Sequence, residues 1–107
     1  MQAYTTGDSV TFVLQLTNTG PTAIGLDYRS GQSFDFVVRQ GQREVWRWSS
    51  GQMFSQALRN ERLDAGATLR HQATWRYPAA TRGTFTAQGM LTATGRNISQ
   101  ETEFTLP

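Results

Sequence analysis

Cysteine and lysine are absent from this 107-residue chain, and histidine occurs once. Without cysteine there is no disulfide framework, no thiolate metal site and no cysteine nucleophile, and the chain suits a reducing compartment. One histidine and no thiols leave too few ligands for a zinc site. The sequence has no G-x-S-x-G nucleophile elbow, no phosphate-cradling glycine loop and no acidic calcium loop. No metal or cofactor is expected, and no catalytic residue is assigned. Triad chemistry would have to pass through His71, whose place between Leu69, Ala73 and Trp75 on one strand face reads as a packed side chain. Long apolar runs are also missing. None approaches the roughly 20 residues that span a bilayer, so no membrane insertion is expected. The opening "MQAYTTGDSV" has neither the basic nor the apolar segment of a signal peptide.

Charge of either sign is sparse. Ten arginines face eight acidic residues, for a formal net charge of +2. Arg29, Arg39, Arg43, Arg47, Arg59, Arg62, Arg70, Arg76, Arg82 and Arg96 are scattered among Asp and Glu, whereas a nucleic-acid binder gathers its cations on one face. No nucleic-acid partner is expected.

What the chain does have is alternation. In "SVTFVLQLTNTG" Val10, Phe12, Leu14 and Leu16 share one face until "NTGPTA" stops the strand. "AIGLDY" places Ile24, Leu26 and Tyr28 together. "SFDFVVR" sets Phe34, Phe36 and Val38 against Asp35 and Arg39, and Asp35 is expected to face solvent. "QGQ" at 40–42 is a hairpin turn. Further on, Leu69, His71, Ala73 and Trp75 share a face. So do Phe85, Ala87, Gly89, Leu91 and Ala93, and then Ile98, Thr102, Phe104 and Leu106. "SQALRNERLDAGA" shows no alternation, and at most one helical turn is expected before its Asp-Ala-Gly turn. Seven to eight short strands of this kind, each with one apolar face, predict an all-β fold: a two-sheet antiparallel immunoglobulin-like β-sandwich, read as one domain over 1–107. A small closed barrel would read similarly.

One stretch stands apart. In "EVWRWSSGQMF", residues 44–54, an extended strand would send Trp46 and Trp48 to one face and Val45 and Arg47 to the other. The arginine is then not interleaved with the aromatics, so a base-stacking platform is not indicated. The tryptophans read as core and as structural support. Beyond them Ser49, Ser50, Gly51, Gln52, Met53, Phe54, Ser55, Gln56, Ala57 and Leu58 place apolar side chains in a segment without strand alternation. This is the candidate partner-binding loop, with Met53, Phe54 and Leu58 as anchors. Its "SGQMF" echoes "SGQSF" at 30–34, which common turn chemistry accounts for.

Over nearly its whole length the chain resembles the intracellular proteinase inhibitor family typified by BsuPI. The specific part of the resemblance is "EVWRWSSGQMFSQAL", similar to the family's Val-Trp-x-Trp strand with its Ser-x-Gly-x-Met-Phe continuation. "VTFVLQLTNTG", "SGQSFDFVV", "LDAGATLRHQATW" and "GTFTAQGMLTA" look like its other strands and turns. The resemblance implies an immunoglobulin-like sandwich, a cytoplasmic location and inhibition of a serine protease of subtilisin type, with that protease as the protein partner. It carries over no reactive bond. A non-inhibitory interaction or adhesion module of a larger protein stays open beside it, because fold alone does not decide function.

Overall fold

A computed structural model describes all 107 residues. The strands are β1 Gln2–Thr6, β2 Ser9–Thr17, β3 Ile24–Tyr28, β4 Phe34–Gln40, β5 Arg43–Arg47, β6 Arg59–Leu63, β7 Thr68–Arg76, β8 Gly83–Leu91 and β9 Ser99–Leu106. All pairings are antiparallel, and they form three sheets, ordered β1-β2-β7, β3-β6 and β5-β4-β8-β9. The only helical element is a 3-10 turn, Trp48–Gly51.

The alternating apolar faces meet in one core. Val10, Phe12 and Leu14 of β2, Ala73 and Trp75 of β7, Phe36 and Val38 of β4, Phe85, Ala87 and Leu91 of β8, and Phe104 and Leu106 of β9 are all buried in a single cluster. Phe12 lies 5.5–6.0 Å, centroid to centroid, from Phe36, Trp46 and Phe104, so rings from facing sheets interlock. Such pairs contribute roughly 0.5–1.5 kcal/mol each beyond area burial. On the wet faces, threonines sit directly opposite one another. Thr11–Thr74, Thr17–Thr68 and Thr84–Thr105 are in register, with hydroxyls 2.9–3.0 Å apart. Cross-strand pairing of this kind favours the observed register.

Nine strands exceed the seven or eight expected, because β1 and β6 carry no hydropathic signal. In β6, "RNERL", the side chains that turn inward are Arg59, Glu61 and Leu63, of which only Leu63 is apolar and buried. Arg59 nevertheless fits there. Its guanidinium lies 4.6 Å above the Tyr28 ring, donates to the Ser30 carbonyl and the Ser33 hydroxyl, and pairs with Glu61. The single helical turn expected between Phe54 and Asp64 is replaced by this strand, which pairs with β3. The Asp-Ala-Gly turn does form, with Ala67 N–H donating to the Asp64 carbonyl and Gly66 at φ +79°.

Buried Asn18 joins the end of β2 to this region. Its amide donates to the carbonyls of Thr22 and Leu63 and accepts from Gly20 N–H, so the β2–β3 connection and β6 hang on one side chain.

Candidate functional site

β5 determines how the 48–58 segment leaves the fold. Opposite β4, Val38 pairs with Trp46 and Arg39 with Glu44, so Val45 is an extra residue and β5 carries a β-bulge there. In a regular strand, residues three apart point to opposite faces. The bulge instead places Glu44 and Arg47 on the same outer face, where Arg47 grips Glu44 with two hydrogen bonds at 2.7 and 3.3 Å. This hydrogen bond holds the Glu44 carboxyl below the ordinary carboxylate range and raises the Arg47 pKa. Val45, expected beside Arg47 on the outer face, packs against the core instead.

Trp46 is inward, as expected, 6.0 Å from Trp75 and 5.9 Å from Phe12. Trp48 is no longer in the strand. β5 ends at Arg47, and Trp48 opens the 3-10 turn. Its indole lies 4.3 Å from Phe34, nearly parallel, and 5.7 Å from Phe54. Both tryptophans are half-buried rather than fully enclosed, because β5 is an edge strand of its sheet. The deeply buried tryptophan is Trp75.

Asp35 corrects the solvent-facing expectation. Strand parity does send it to the outer face of β4, but the 3-10 turn and Arg47 cover it, leaving it 4% exposed. Its carboxylate accepts from Phe36 N–H at 2.9 Å, Ser49 N–H at 3.0 Å, the Ser49 hydroxyl at 2.6 Å and Arg47 at 3.3 Å. Burying a charge is costly unless donors surround it, and here four do. Charge-assisted bonds of this kind are stronger than neutral ones. The turn has no side-chain cap of its own, and Asp35 supplies an acceptor for its Ser49 N–H from the neighbouring strand. Gln52 N–H then donates to the Ser49 carbonyl and closes the turn.

The far end of the segment is fastened to the 30–33 turn. Gly31 N–H donates to the Ser55 carbonyl at 2.9 Å. The approach is so close that a Cβ on Gly31 would stand 2.9 Å from the Ser55 hydroxyl and 3.2 Å from its backbone nitrogen. The 30–33 turn is itself held by Arg59 and by Thr92, whose hydroxyl donates to the Gln32 carbonyl and whose N–H donates to the Ser33 carbonyl.

Between these pins the chain runs out into solvent. Ser49 is half-buried on Asp35, while Ser50, Gly51, Gln52 and Met53 are exposed, Met53 at 98%. Phe54 turns back onto Trp48 and is half-buried; of the three expected anchors it is the one that joins the support. Ser55, Gln56, Ala57 and Leu58 are exposed, Leu58 at 80%. Residues 52–58 have no regular secondary structure, and Gln52 is extended at φ −109°, ψ 153°. Sequence reasoning missed Asp35, Gly31 and Arg59 as positioning residues. Only the acidic residue inside the apolar run Phe34–Val38 offered a signal for the first.

An open groove of about 620 Å³ borders the turn, walled by Glu44, Trp46, Arg47, Trp48, Gln52 and Thr74 among others. Its charged groups are already paired to each other. His71 stacks on Phe34 at 4.5 Å, burial lowers its pKa, and its Nε2 is buried without a hydrogen-bond partner.

Comparison with known proteins found one family. Residues 1–96 match the model described as BsuPI, intracellular proteinase inhibitor, a stretch that takes in β1 to β8 and the whole 48–58 segment. A search of curated proteins found no match. With 96 of its 107 residues matched, the chain belongs to the intracellular proteinase inhibitor family, and that membership implies that it inhibits proteinases.

Proposed function

We propose that the protein inhibits a serine protease of the subtilisin type by laying residues 52–58 along the active-site cleft, with Met53 in the specificity pocket and Leu58 as a second apolar contact. The observation that carries this reading is a nearly fully exposed Met53 in a stretch without regular secondary structure, fastened on one side at Ser49 to Asp35 and on the other at Ser55 to Gly31. An extended segment can add as a strand to a cleft edge, taking affinity from backbone hydrogen bonds and selectivity from alternate side chains. Ordering a free residue costs about 1–2 kcal/mol. Two pins and the Phe54–Trp48 contact bear part of that cost before binding, which is how a loop without disulfides gains affinity. Burial of the methionine side chain then contributes roughly 1.5–3 kcal/mol. On the same reading the three sheets form an immunoglobulin-like sandwich and a single domain, and the protein acts inside the cell, in keeping with the word intracellular in the family's description. No helix is long and apolar enough to cross a membrane.

Titration of a subtilisin-type protease tests the proposal. Wild type should abolish activity near stoichiometry. Met53→Asp should weaken inhibition about a hundredfold, the equivalent of roughly 2.7 kcal/mol, with no change in thermal midpoint. Full protease activity at large excess of wild type would sink the serine-protease reading for that target and favour the non-inhibitory interaction module. Equal inhibition by a folded Met53→Asp would move the contact surface elsewhere.

A further inference from the structure

We infer that Met53 is a methionine-oxidation site, and that its sulfoxide is a form of the inhibitor that no longer fits the cleft; the second half rests on the proposed inhibitory role of the 52–58 segment. The chain contains no cysteine, so its three methionines are its only sulfur atoms. They are not equally open to an oxidant. Met1 is half-buried and its sulfur lies against Gly89, where an added Cβ would come within 2.8 Å of it. Met90 is half-buried in β8, next to Asp35 in register. Met53 is 98% exposed. Its segment is fastened on either side at Ser49 and Ser55, in an arrangement that leaves this side chain in solvent.

The chemistry is a two-electron oxygen transfer. A thioether lone pair attacks one oxygen of hydrogen peroxide and the O–O bond breaks. An S–O bond forms, sulfur is oxidised, and the second oxygen leaves as water with both protons. The product is polar and chiral where the reactant was apolar and flexible. In solution the change is nearly without consequence for the fold, because Met53 touches nothing it could destabilise. In an apolar pocket the sulfoxide oxygen would be stripped of water without a partner, a penalty that corresponds to roughly a ten- to hundredfold loss of affinity. The same exposure that makes Met53 an anchor makes it the first atom a peroxide meets.

The test treats the whole chain with graded hydrogen peroxide. Peptide mass spectrometry locates the added oxygen, protease titration reads inhibition, and a Met53→Leu variant serves as the oxidation-resistant control. Met53 should oxidise several-fold faster than Met1 and Met90. Protein carrying oxygen only at position 53 should inhibit ten- to a hundredfold more weakly at unchanged thermal midpoint. Methionine sulfoxide reductase should restore it, and the inhibition shown by untreated Met53→Leu, whatever its level, should be unchanged by peroxide. Equal or slower oxidation of Met53 overturns the site. Unchanged inhibition by the position-53 sulfoxide overturns its consequence. A failure of the untreated protein to inhibit would instead bring down the functional reading and the consequence with it, while the mass-spectrometric rates would still decide the site.

Discussion

Two five-residue turns, Ser30–Phe34 and Ser50–Phe54, differ by one letter and have opposite fates. In the first every residue is half-buried: Ser30 accepts from Gln32 N–H, Gln32 donates back to the Phe34 carbonyl, and Arg59 and Thr92 fasten the outside. In the second the Ser, Gly, Gln and Met are exposed and only the phenylalanine is half-buried. The two also touch, since Gly31 bonds to Ser55, and Trp48 lies against both Phe34 and Phe54. Turn letters alone therefore say little about what a turn does. What separates them is the set of neighbours, which provides donors for the carbonyls of the first and leaves the second its free face. The buried turn acts as the bracket for the presented one.

The largest effect should come from cutting the link between them. Trp48→Ala removes the ring lying between Phe34 and Phe54 and should cost about 2–3 kcal/mol in urea unfolding, less than a fully buried tryptophan because the indole is only half-covered. If the two turns are coupled as described, limited proteolysis at 52–58 should accelerate in this variant. Asp35→Ala comes next, at about 2 kcal/mol, because Ser49 loses the acceptor for both its N–H and its hydroxyl. Amide exchange at Ser49 should rise while Gly31, on the other pin, stays protected; equal loosening of both would mean that the pins act as one.

Gly31→Ala should cost about 1 kcal/mol, since the new methyl can displace the Ser55 hydroxyl but also meets a backbone nitrogen. Faster exchange of the position-31 amide would report the separation of the turns directly. The smallest effect concerns pH. His71 stacks beneath Phe34, and burial lowers its pKa from 6.5. The unfolded chain then takes up this proton at a higher pH than the folded one does. Stability should be undiminished above about pH 6.5 and decline as pH falls from there through the lowered folded value. Glu61 and Arg59 also act on His71, in opposite senses. His71→Phe should flatten the decline in unfolding curves taken between pH 7 and pH 5.

Most of the sheet scaffold was legible, because β2, β3, β4, β7, β8 and β9 each bury one alternating apolar face. The candidate site was legible only in part. The exposure of Met53 and Leu58 follows from their lying in a segment without a pattern, and the half-burial of Phe54 depends on where Trp48 ends up. The ion pairs and hydrogen bonds that position the segment and its bracket join residues up to 60 positions apart in sequence, as Thr92 does to Gln32. No local pattern encodes such pairs. Asp35 was read as solvated because alternation reports which face a residue takes, and not what later folds across that face. β6 escaped because arginine and glutamate occupy inward positions that hydropathy reserves for apolar side chains.

The bulge at Val45 gives β5 one residue that its pairing with β4 does not use. Exchanging Val45 for another apolar residue would leave the spacing intact. Removing it would restore unbroken pairing with β4 and leave Glu44 two positions from Arg47, still on the outer face, so that Arg47 kept both carboxylates and only the contact of Val45 with the core was lost. When chains of this family are aligned, a one-residue gap at this position would therefore leave the anchorage of the 48–58 segment through Arg47 in place, so long as the acid, the arginine and Trp-x-Trp are all kept.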